Sequence, residues 1–173
     1  MLKKFELKLG SKYKNIMINL SELNDYSIRV YEYLKIYNSE LLKNISLQPS
    51  DFGKNYIFLE FITENENSPS NLYLSSEDSR LTVGFGTYHC HFDQFSGQDF
   101  EEQMKIAVEY FYKILDEELF VVCAGGGVST LLTYEEINFI ASGQKLEKFD
   151  YDCINYYVTS WSGNKDRVLK NPN

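Results

Sequence analysis

From Ser21 onward the apolar positions recur every three or four residues, at Leu23, Tyr26, Val30, Leu34, Tyr37 and Leu41. That spacing draws one stripe along a helix and predicts an amphipathic segment with Ser21 as its N-cap. Tyr26, Tyr31, Tyr33 and Tyr37 cannot all lie on the stripe, so aromatic surface is left for another element or another protein. Upstream the period is two: Phe5, Leu7 and Leu9 alternate with Glu6 and Lys8 ahead of Gly10-Ser11, the pattern of a hairpin running to Ile18.

Three short β-like runs follow, at 56–62, 72–74 and 81–85, separated by polar turns that suit an antiparallel meander. A second helix opens at Asp99, with Glu102 three residues on as an Asp-led capping box. Phe100, Met104, Ala107, Phe111 and Ile114 form its apolar stripe, widened by Val108 and Leu115. Glu101, Lys105, Glu109, Lys113 and Glu117 alternate in sign at i,i+4, which reads as an ordinary solvated face. Residues 119–124 form a buried strand broken by Gly125-Gly126-Gly127, and 128–132 return as the other arm of a hairpin. Thr133 caps a shorter helix with Glu136 at the reciprocal position, and Gly143 ends it. A last strand spans 154–161. Strands interleaved with helices, without βαβ repetition, predict an α+β fold: one antiparallel sheet packed against two long amphipathic helices and a shorter third.

Composition narrows the class. At 173 residues the length suits a single domain spanning 1–173, and 43% hydrophobic with 16% aromatic residues supplies a core. The net charge of −8 argues against a general nucleic-acid binder and for a soluble protein that meets a basic partner. No segment approaches the roughly 20 apolar residues of a membrane span, and no unbroken apolar stretch follows the first lysines as in a signal peptide. Cys90, Cys123 and Cys153 lack metal-knuckle spacing and read as thiols in a reducing cytoplasm.

Chemistry concentrates at Gly84-Phe85-Gly86-Thr87-Tyr88-His89-Cys90-His91-Phe92-Asp93. Positions i and i+2 of a strand point the same way, so His89, His91 and Asp93 can converge as metal ligands. If instead the strand from Leu81 runs on unbroken, the imidazoles share the face of Leu81, Val83 and Phe85 and are half-buried, hydrogen-bonded residues. Gly84 and Gly86 can reset that parity through a bulge. The glycine triplet lacks the Gly-Lys-Ser/Thr of a phosphate loop and reads as a turn. Trp161 within Ser160-Trp161-Ser162-Gly163-Asn164-Lys165-Asp166 is either an interface anchor or the core end of the last strand.

The pair of motifs, Gly84-Phe85-Gly86 with Tyr88-His89-Cys90-His91-Phe92-Asp93 and Ser160-Trp161-Ser162-Gly163 with Asp166, resembles the small immunity proteins that accompany bacterial polymorphic toxins. The resemblance covers roughly residues 80–170. It implies a non-enzymatic protein that binds and neutralises a cognate toxin in the cytoplasm, with His89, His91, Asp93, Trp161 and Asp166 as the candidate binding residues. No catalytic residue carries over from it; a His-x-His spacing alone is a weak metal signal, and no metal or cofactor is expected. An acidic inhibitor suits a basic toxin such as a nuclease. The rival expectation is a small metal-dependent enzyme built on His89, His91 and Asp93.

Overall fold

A computed structural model describes residues 18–51, 53–92, 99–125, 127–149 and 154–170. The expected hairpin at 5–18 therefore lies, apart from Ile18, outside the described residues, as do Asp93 and Cys153. The fold is α+β: the described residues form three α-helices and nine strands in two antiparallel sheets. The strands expected to share one sheet are thus divided between two.

Helix α1 covers Asp25–Tyr37 and starts later than its stripe suggests. Asn24 is the cap, its side chain accepting from the Ser27 amide at 2.7 Å, while Leu20–Glu22 form a 3-10 turn. The reason is tertiary: Leu23 is extended, fully buried and bridged to Asn55, so the helix begins only beyond it. Val30 and Leu34 carry the buried stripe, and Leu41 reaches the core from a second 3-10 turn after the helix has ended at Asn38.

Helix α2, Phe100–Leu115, follows its pattern closely. Asp99 accepts from the Glu102 amide at 2.9 Å, and Met104, Ala107, Phe111 and Ile114 are buried. Truncating Phe111 to alanine removes a fully buried ring and costs about 3–5 kcal/mol. On the outer side Lys113 pairs with Glu109 at 2.6 Å, but Lys105 pairs with Glu102 at i,i+3, and Glu117 has left the helix altogether. Helix α3, Tyr134–Ala141, carries the expected capping box between Thr133 and Glu136, and Gly143 follows it in the left-handed region.

The first sheet is the meander β1 (Ile45–Gln48), β2 (Tyr56–Phe61), β3 (Leu72–Ser75), β4 (Leu81–Phe85) and β5 (Tyr88–Phe92), each pairing with the next. Helices α1 and α2 cover one face of it, over Ile57, Leu59, Leu74, Leu81, Val83 and Phe85. The second sheet comprises β6 (Leu119–Ala124), β7 (Val128–Thr133), β8 (Asn155–Thr159) and β9 (Arg167–Lys170), in the order β7-β6-β8-β9. Helix α3 and Phe149 bury its Phe120, Val122, Leu132, Tyr156 and Val158 face. Val121 and Leu131 point to the opposite side and join the core of the first sheet, which packs the two layers together. Among the described residues no helix is long and apolar enough to cross a membrane.

Candidate functional site

Gly86 and Thr87 form a two-residue turn, because Phe85 pairs with Tyr88 across the β4–β5 hairpin. Gly86 has φ +60° and Thr87 is not in the positive-φ region, the pattern of a turn with glycine at its first central position. The turn replaces the unbroken strand and reverses the parity expected from it. Tyr88, Cys90 and Phe92 sit opposite Phe85, Val83 and Leu81 on the helix side, while His89 and His91 sit opposite Gly84 and Thr82 on the outer face. Both imidazoles are exposed, with ring centroids 5.3 Å apart, and the Thr82 hydroxyl lies 2.8 Å from His91 Nδ1. The third expected ligand, Asp93, is outside the described residues, and among those described no group of three His, Cys, Asp or Glu side chains could hold a metal.

Around the imidazoles the outer face is aromatic. Reading across the strands, Phe58, Ser75, Thr82 and His91 form one row, and Glu60, Tyr73, Gly84 and His89 the next. The Tyr73 ring lies on Gly84: a Cβ there would stand 2.3 Å from Tyr73 Cζ. Glycine at 84 therefore lets the Tyr73 ring lie close against the sheet. Phe58 stacks on Tyr73 with centroids 5.5 Å apart and planes 22° from parallel. Glu60, directly across from Tyr73, is held by the Asn71 amide at 3.0 Å. Beyond the end of β3, on the Tyr56 side of the face, stand the exposed Glu77 and Asp78. Burial, followed by the Glu77 charge, pushes the phenols of both Tyr56 and Tyr73 above the ordinary tyrosine range.

The second motif is placed elsewhere and does different work. Trp161 packs on Phe85, centroids 5.7 Å apart, on the helix side of the first sheet and so opposite the imidazoles. Asp166 Oδ1 accepts from the Ser160 amide at 2.7 Å and the Ser160 hydroxyl at 3.0 Å, and its Oδ2 accepts from Asn65 Nδ2 at 3.0 Å. Asn65 also donates to the Ser160 carbonyl at 2.7 Å, and the Thr63 hydroxyl donates to the Trp161 carbonyl at 2.6 Å. Glu117, at φ 55°, accepts from the Ser162 amide at 2.8 Å and pairs with Lys165 at 3.1 Å. Burial pushes the Glu117 carboxyl up, but the Ser162 hydroxyl and amide and Lys165 together outweigh it and hold the carboxyl below the ordinary range. The loop at 160–166 thus ties the β2–β3 connection and the end of α2 to the second sheet.

His89 and His91 are brought together, then, while Trp161 and Asp166 share a separate polar clasp. The residues that complete each place, Tyr56, Phe58, Tyr73 and Glu77 in one and Thr63, Asn65 and Glu117 in the other, have no motif of their own. Comparison with family models, with curated proteins and with solved structures found no match to the chain.

Proposed function

We propose that this protein is a toxin-neutralising immunity protein, which binds a cognate toxin in the cytoplasm and performs no chemistry on it. The observation that carries the reading is the division of labour between the two motifs behind the resemblance. The Ser160–Asp166 segment uses its polar groups in a part-buried clasp that stiffens the scaffold, and the exposed His89 and His91 stand on a sheet face that also carries Phe58 and Tyr73. Rigid aromatic groups on a pre-organised surface suit recognition, because little side-chain entropy is lost on binding. The charge supports a basic partner: residues 1–17 hold five of the 17 basic residues and one of the 25 acidic ones, so residues 18–173 are more acidic than the whole.

The test is co-expression with the product of an adjacent toxin-like gene. The proposal expects growth to be restored and the two proteins to co-purify at physiological salt. Unprotected cells and no complex would overturn it. The second reading, a metal-dependent enzyme, is favoured by the two imidazoles lying 5.3 Å apart. It expects stoichiometric metal in purified protein and a melting temperature lowered by chelator.

A further inference from the structure

We propose that the outer face of the five-stranded sheet docks a cationic segment of a protein partner. An arginine or lysine stem lies over Phe58 and Tyr73, and its charge sits beside Glu77 and Glu60. The inference rests on the reading of this chain as a binding protein and adds the surface and the chemistry it recognises.

Three features of the face argue for that occupant. Its rings are fixed before any partner arrives: Tyr73 is seated on Gly84 and stacked on Phe58. A cation over such a ring is attracted by its electron-rich face, and the flat guanidinium of arginine stacks on it best. Carboxylates flank the rings: Glu60, held by Asn71, lies directly across from Tyr73, and the exposed Glu77 and Asp78 follow the end of β3. The opposing cation of the same turn is Arg80. The negative field reaches the rings themselves, since Glu77 raises the phenol pKa of both Tyr56 and Tyr73 beyond what burial does.

Other apolar surfaces match this chemistry less well. At the end of α1 the exposed Ile36 and Tyr37 adjoin Tyr33, but there Arg29 already lies 4.0 Å over the Phe100 ring and Lys105 already pairs with Glu102. On the second sheet the exposed Tyr157 and Val168 face each other across β8 and β9, with Cys123 as the next neighbour and no carboxylate in the row.

The experiment is a titration of isotope-labelled protein with acetyl-Gly-Arg-Gly-Arg-Gly-amide, followed by amide chemical shifts. A matched peptide carries neutral citrulline in place of arginine. Shifts should cluster at residues 56–60, 72–77 and 88–91, and the citrulline peptide should bind about tenfold more weakly. The double variant Glu77→Lys with Asp78→Lys should lose about tenfold in affinity, whereas Glu135→Lys with Glu147→Lys, an equal charge change on α3 and the 3-10 turn that follows it, should leave it within about twofold. All the altered residues are exposed, and far-ultraviolet circular dichroism with a urea midpoint for each variant verifies that the fold is kept before titration. Shifts spread over all acidic surfaces, equal binding of the citrulline peptide, or no shifts on this face would overturn the proposal. The toxin reading is judged separately: a chain that protects cells but fails this titration keeps its function and loses this surface.

Discussion

Replacing Asp166 by alanine removes the acceptor around which the 160–166 loop is closed. Three donors lose their partner: the Ser160 amide, the Ser160 hydroxyl and Asn65 Nδ2, at 2.7, 3.0 and 3.0 Å from the carboxylate. Ser160 is fully buried and Asn65 is 4% exposed, so water does not readily replace the lost oxygen atoms. An unsatisfied buried polar group costs about 1–3 kcal/mol. Asn65 keeps its bond to the Ser160 carbonyl, and Asp166 itself is only half-buried, so the total falls well short of three full penalties. We expect a loss of about 3 kcal/mol, or roughly 6–12 °C in melting temperature for a chain of this size. Asp166→Asn keeps one acceptor but turns an amide nitrogen toward a donor, and should lose about half as much. Urea unfolding read by Trp161 fluorescence and by far-ultraviolet circular dichroism measures both, and Trp161, the sole tryptophan, sits inside the loop. Stability within about 0.5 kcal/mol of the wild type, with unchanged Trp161 emission, would refute the clasp as a structural element.

Gly84→Ala should drive Tyr73 off the sheet and cost about 1–3 kcal/mol, seen as a lower urea midpoint and altered Tyr73 ring resonances. Ser79, at φ 57° next to Asp78 at φ 51°, holds a left-handed conformation that glycine adopts without strain, so Ser79→Gly should gain about 0.5 kcal/mol in the same assay. The Glu117 carboxyl is held below the ordinary range in the folded chain, so its contribution is present above the unfolded value of about 4.3 and is lost as pH falls through the lower folded value. Urea midpoints measured from pH 7 down to pH 3 should therefore fall more steeply for the wild type than for Glu117→Gln; parallel profiles would contradict that assignment.

How much of this was legible depended on whether the determining contacts were local. Helices α2 and α3 could be placed from Asp99 and Thr133 because cap and stripe lie within a few residues of each other. Helix α1 resisted because Leu23 is claimed by Asn55, a contact no local pattern announces. Strands β1 and β9 have four residues each, Ile-Ser-Leu-Gln and Arg-Val-Leu-Lys, and owe their conformation to pairing with a neighbour more than to their own alternation. Of the candidate site, the shared direction of His89 and His91 was readable from their spacing. Which face they take was not, because it turns on a two-residue hairpin at Gly86 and Thr87. The clasp was least visible: Asn65 meets Ser160 across 95 positions and Glu117 meets Ser162 across 45, so Glu117 looked like one more rung on a helical charge ladder.

The central claim is that this chain acts by occupying another protein's surface. It is tested most directly by titrating purified chain against a fixed amount of the proposed partner, a toxin encoded by an adjacent gene, and measuring residual toxin activity, with and without chelator. The account predicts a linear fall to zero at one equivalent, the same in both series. Complete inactivation by a small fraction of an equivalent, or inactivation abolished by chelator, would mean that the chain turns over a substrate, and would contradict it.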